Sequence, residues 1–178
     1  KINLKGLKFI PSGNINNILK ILDKNENEVI YSASIYDPRK ECIYKKNIKE
    51  TYSDYYNRHT GDINKSYKYK IIHSMTAKSG FDCLYSKENN KGTNHFIPKV
   101  ILSFGRHQYP YNDYKGEYGM SCIIFGIPIN SKEEGDKIVS AINTDKFKEI
   151  IKYTKWNTFQ TDWRMFKYFK KDFWKEFI

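Results

Sequence analysis

Pro98-Lys-Val-Ile-Leu-Ser-Phe-Gly-Arg-His-Gln-Tyr-Pro-Tyr-Asn-Asp-Tyr-Lys-Gly-Glu-Tyr-Gly-Met-Ser-Cys-Ile-Ile-Phe-Gly-Ile-Pro-Ile129 is the segment on which the reading of this chain turns. It begins and ends in short apolar runs rich in branched residues, 100–104 and 122–129, each the length of a strand buried on both faces. Between them Arg106, His107, Gln108, Tyr109, Tyr111, Asn112, Asp113, Tyr114 and Lys115 supply donors, acceptors and aromatic faces, punctuated by Gly105, Pro110, Gly116 and Gly119. A connection that only reverses the chain needs neither this length nor these rings. The expectation is a recognition loop, with Asp113 in its turn, carried on a rigid two-strand base.

Working outward towards the N-terminus, Tyr67, Tyr69, Ile71 and His73 alternate with Lys68, Lys70 and Ile72. That period predicts a half-buried strand with its lysines outward and His73 on the apolar face. Residues 81–85 and 28–36 read as further strands, the latter closed by Asp37-Pro38, and 86–94 as a polar loop. Ile15, Ile18, Leu19 and Leu22 mark one face of a helix over 12–24. Residues 39–66 lack periodicity but interleave Lys45, Lys46, Lys49 and Arg58 with Tyr44, Tyr52, Tyr55 and Tyr56, a mixture that suits phosphates and bases or simply faces water.

Towards the C-terminus the period becomes helical. Ser131 and Glu134 form a capping box ahead of Ile138, Val139 and Ile142. Asn143-Thr144-Asp145 interrupts and recaps, and Phe147, Ile150 and Ile151 mark a second helix. The tail that follows carries all of the tryptophans and many phenylalanines, a density that calls for a sheet to pack against. The elements together predict one α+β domain over 1–178: a mixed or antiparallel sheet of about five to seven strands, flanked by an N-terminal helix and C-terminal helices.

Composition narrows the function. Aromatic residues make up 16% and hydrophobic residues 39% of the 178, which is a globular rather than a disordered profile. The formal net charge of +11, from 31 Lys+Arg against 20 Asp+Glu, makes nucleic acid the expected partner, although A+T-rich coding also enriches Lys, Asn, Ile and Tyr. Cys42, Cys83 and Cys122 are too widely spaced for a disulfide framework or a zinc site. No apolar run reaches membrane-spanning length and the first residues lack the apolar centre of a signal peptide, so an intracellular, cytoplasmic location without membrane contact is expected.

At this point the succession Pro98-Lys-Val-Ile-Leu-Ser, the Tyr/Asn/Asp/Gly-rich loop, the strand 121–129, Ser131-Lys-Glu-Glu-Gly-Asp-Lys, Ala141-Ile-Asn-Thr-Asp-Lys-Phe and Lys155-Trp156-Asn157-Thr158-Phe159 resembles a known family. It is the C-terminal target-recognition region of adenine-specific DNA methyltransferases and fused restriction-modification enzymes. The resemblance covers residues 94–178, with Asn157-Thr158 standing where the family carries Ser-Gly. It implies a DNA-reading α+β module without chemistry or cofactor of its own, the loop 106–115 approaching DNA, 138–151 serving as packing, and a methyltransferase or nuclease domain in the same or another polypeptide.

The chain itself lacks the Gly-rich cofactor loop and the Asn/Asp-Pro-Pro-aromatic run of a methyltransferase, a nucleophile elbow and a phosphate-gripping P-loop. The alternative is a metal-dependent nuclease, in which Asp113-Tyr114-Lys115 with Asp82 on an earlier strand would hold Mg2+; a non-catalytic protein-interaction module is a further reading. For DNA, side-chain geometry assigns base reading to Arg106, Gln108 and Asn112, unless Arg106 merely braces the loop by pairing with Asp113. His107, Tyr109 and Tyr111 lie beside them, Lys68 and Lys70 would hold phosphate, and Asn157 to Arg164 is a second candidate reader.

Overall fold

The computed structural model describes residues 30–31, 69–76, 80–86, 94–105, 109–121, 123–153 and 163–178. They form an α+β fold whose organising strand, β4 (Lys99–Ser103), is the first apolar run of the central segment. It lies between β7 (Ile124–Pro128) and β5 (Tyr111–Asp113), antiparallel to both, and β1 (Ile30–Tyr31) pairs with the outer edge of β7. The second sheet has β2 (Tyr69–Thr76) at its centre, antiparallel to β3 (Gly80–Ser86) and parallel to the short β6 (Gly119–Met120).

The chain therefore builds a four-stranded sheet in the order β1-β7-β4-β5 and a three-stranded sheet in the order β3-β2-β6, where the sequence predicted one sheet. The reason lies in the central segment. The stretch ending at Pro110 joins the antiparallel neighbours β4 and β5, and after β5 the chain turns through 114–118 and gives β6 to the other sheet, so the expected loop is split by a strand. Asp113 is correspondingly the last residue of a strand and not part of a turn.

Period two then distributes β4 between two cores. Val100 and Leu102 join Phe125, Ile138, Ile142, Phe147, Ile150 and Ile151 on the side covered by helices α1 (Lys132–Asn143) and α2 (Asp145–Tyr153). Ile101 points the other way, to Ile72, Met75, Met120 and Ile124 between the sheets. Full burial of the strand on both faces follows the expectation from its unbroken apolar run. The half-buried strand expected at 67–73 does not: Ile72, expected on the outward, lysine-bearing face, packs between the sheets with Met75, and Ile71 on the other face is fully buried as well. A bulge between Ile72 and Ser74 shifts its register to β3.

The helix punctuation was legible. Ser131 Oγ accepts the Glu134 N–H at 3.1 Å, and the Glu134 carboxylate reaches back to the Asn130 N–H at 2.7 Å, one residue before the cap. Thr144 ends α1 and recaps α2, its hydroxyl accepting the Phe147 N–H at 3.2 Å. The aromatic tail follows as two 3-10 helices, Trp163–Tyr168 and Phe173–Glu176. It packs as expected, with Phe166 4.9 Å from Phe125 of the sheet and Phe147 within ring contact of Phe169, Phe173 and Phe177. Among the described residues no helix is long and apolar enough to cross a membrane. The predicted helix over 12–24 and the lysine–tyrosine segment 39–66 lie outside the described residues.

Candidate nucleic-acid interface

Lys99 and Asp113 face each other across β4 and β5, on the side that looks between the sheets. Both are buried, and Lys99 Nζ donates to Asp113 Oδ2 at 2.9 Å, to Tyr118 O at 2.7 Å and to Ile97 O at 3.0 Å. Asp113 in turn accepts the N–H of Glu117 at 2.8 Å and of Tyr118 at 3.1 Å. Burial pulls the Lys99 amine below its ordinary pKa, and the charge and hydrogen bond of Asp113 oppose that. A buried charge pair is tolerable when its remaining donors and acceptors are met, and here all three ammonium protons have an acceptor.

The pair fixes the turn from Tyr114 to Tyr118 from below. A second clamp comes from 94–97. His95 Nε2 donates to Lys70 O at 2.7 Å, its ring lies where a Cβ on Gly119 would be, and Phe96 N–H donates to Gly116 O at 2.8 Å. Gly116 is required twice over: its φ is +67°, and a side chain there would come within 2.7 Å of the Phe96 backbone. Burial lowers the His95 pKa, with the Lys70 carbonyl opposing.

Upon this framework cations meet tyrosines. Lys70 Nζ stands 5.8 Å from the Tyr118 ring, and Lys115 and Lys132 stand 5.7 and 5.8 Å from that of Tyr114. Tyr111 meets Tyr118 edge to face at 5.6 Å, and Tyr109, Tyr111 and Tyr118 close the rim of the inter-sheet core. Burial first, then the nearby Asp113 charge, raises the Tyr111 pKa and keeps the phenol protonated. Glu117 of the same turn is exposed, and on α1 Lys132 and Asn112 hold Asp136 in hydrogen bonds.

The predicted residues separate on this map. Lys70, Tyr109 and Tyr111 are brought together on the rim, and Lys115 projects from it. Asn112 lies on the opposite face of β5 from Tyr111, where Nδ2 donates to Lys132 O at 2.9 Å and to Asp136 Oδ1 at 2.8 Å, bracing α1 against the sheet. Gly135 makes that approach feasible, because a Cβ there would occupy the place of the Asn112 amide. The Asp113 oxygens hold Lys99 and two backbone amides. Asp82, its proposed co-ligand, is on β3 in the other sheet. Among the described residues no three His, Cys, Asp or Glu groups converge as metal ligands. Arg106, His107, Gln108, Lys68 and Asn157 lie outside the described residues, and Arg164 is placed only by its backbone, in the first 3-10 helix.

Sequence reading passed over Lys99, His95, Phe96, Tyr118 and Lys132. Lys99 carried a signal, standing in phase with Ile101 at the head of a run that is otherwise apolar. On the far side of the molecule a cavity of about 310 Å³ opens between β7, α1 and the 3-10 helices, floored by Ile127, Ile138, Phe166 and Phe169. Its charged lining, Glu134, Lys170 and Lys171, includes no buried convergent set, so the rim is the stronger site. Comparison of the chain with protein-family models, with curated proteins and with solved structures gives no match in any of the three.

Proposed function

We propose that this chain binds double-stranded DNA through the rim formed by Tyr109, Tyr111, the turn 114–118 and Lys70, as a target-recognition module of a DNA methyltransferase or restriction-modification system. The observation that carries the reading is the set of lysine–tyrosine pairs, Lys70 with Tyr118 and Lys115 and Lys132 with Tyr114, on a turn locked from beneath by a buried ion pair. Cations on a rigid edge neutralise phosphates, and phenols pack against sugars and bases. The net charge of +11 gives the long-range attraction. With Asn112 turned inward, base reading falls to Arg106 and Gln108, immediately before the rim in sequence.

The test is a mobility-shift titration of mixed-sequence duplex at two salt concentrations. Affinity falls steeply with salt in the wild type. Lys70→Ala and Lys115→Ala weaken all sequences alike and flatten the slope, by roughly one unit for each phosphate that is no longer neutralised. No binding to duplex at low salt overturns the proposal and leaves a protein-interaction module as the better account.

A further inference from the structure

Asn94 and Phe96 both adopt left-handed backbone conformations, with φ of +57° and +63°. Asparagine tolerates this region; a bulky aromatic residue is a marked exception, held there only when its surroundings over-determine it. The surroundings do so: the His95–Lys70, Phe96–Gly116 and Lys99–Ile97 hydrogen bonds grip the segment on both sides. The fold gains little from the ring so presented. Phe96 is 65% exposed, Ile97 next to it in the chain 37%, and Tyr114, two residues before the Gly116 that Phe96 bonds, 40%. Its ring contact with His95 is loose, at 6.0 Å between centroids. Glycine would serve the backbone at no steric cost.

A rigid apolar tip beside cations has a specific use on a polyanion. The Phe96 backbone N–H donates to Gly116 O of the turn, and the same turn carries Tyr114, whose ring has Lys115 and Lys132 within 5.8 Å. Resting on the DNA-binding reading, we propose that Phe96, flanked by Ile97 and Tyr114, is a wedge that enters between adjacent base pairs of duplex DNA and partly unstacks them. Proteins that kink duplexes insert side chains of this kind, and the unstacking is offset by phosphate contacts around the wedge. Positive charge favours DNA over an apolar protein partner, because Lys115 and Lys132 stand at the Tyr114 ring of the same turn. Pyrimidine–purine steps, the easiest to open, are the expected points of entry.

The experiment uses the full chain and a duplex rich in TA steps carrying 2-aminopurine beside one of them, whose fluorescence rises on unstacking. Wild type binds and raises the signal. Phe96→Ala and Phe96→Gly still bind, with the rise lost. Phe96→Gly is the folding control, since it relieves the left-handed strain and its melting temperature is expected to match or exceed that of wild type. Binding by wild type without any rise, or an undiminished rise in both variants, overturns the wedge and leaves duplex binding standing. No binding by wild type removes the wedge and the DNA reading together. Self-association without DNA that Phe96→Ala abolishes assigns the tip to a protein contact and also overturns the wedge.

Discussion

The two sides of β4 solve the same burial problem by different means. Towards α1 and α2 the core is aliphatic and aromatic, phenylalanines of the tail surround Phe147, and Phe166 among them meets Phe125 of β7. Towards the second sheet the apolar core is smaller, and it ends at the Lys99–Asp113 pair under a rim of half-buried tyrosines. Dispersion and area hold the first side, and neither is directional. The second is held by groups that each need a partner in one place, which fixes one geometry for the turn above it. The side proposed to meet DNA is thus the side where the fold relies on direction rather than bulk.

Breaking the ion pair is the strongest challenge to this contrast. Asp113→Ala leaves a buried ammonium uncompensated, a loss of about 3–5 kcal/mol, and unpairs the Glu117 and Tyr118 amides at a further cost of about 1–3 kcal/mol for each one that water cannot reach. Urea denaturation measures the loss, and hydrogen exchange locates it, with protection falling first at 116–118. Pairing Lys99→Met with Asp113→Leu recovers only part, because the two amides and the carbonyls of Ile97 and Tyr118 still lack partners. Full recovery would show that the pair acts as a simple ion pair and does not shape the turn.

Next in size is Phe147→Ala on the apolar side, a cavity substitution expected to cost about 3–5 kcal/mol. Exchange there should quicken at α2 and the tail while the amides of Glu117 and Tyr118 keep their protection. Equal loosening on both sides would erase the distinction.

The smallest effect is a pH dependence confined to the polar side. His95 is buried, hydrogen-bonded to Lys70 O, beside the Tyr69 ring, and in the fields of Lys99 and Asp113. Its folded pKa lies below the ordinary value, so the unfolded chain takes up the proton first. The stability it contributes is present above about pH 6.5 and drains as pH falls from there through the lowered folded value. Denaturation midpoints across that window should fall further in wild type than in His95→Gln, which cannot titrate. Parallel curves would remove His95 from the account.

How much could be read in advance follows from the same contrast. Helix signals are local: Ser131 and Glu134 are three residues apart, and Ile138, Ile142, Phe147 and Ile151 announce one face by spacing alone. The unbroken run after Lys99 likewise disclosed a doubly buried strand. The rim depends on pairings that no spacing encodes. Lys99 meets Asp113 fourteen residues on, His95 reaches back to Lys70, and Met120 lies beside Ile72 in a parallel pair. The alternation of Asn112 with Tyr111 and Asp113 could not be assigned to faces until β5 was known to be a strand. Phe96 gave no signal, since a positive φ at phenylalanine is written in its clamps and not in its side chain.

The seclusion of Lys99 also makes it a chemical reporter. An acylating reagent needs a free, uncharged amine, whereas this one is fully buried and gives its three protons to Asp113, Tyr118 and Ile97. Exposed lysines such as Lys115, Lys132 and Lys170 are modified in the native state, while Lys99 waits for β4 and β5 to part. The rate at which it is labelled is therefore a clock for the opening of the turn that β5 carries.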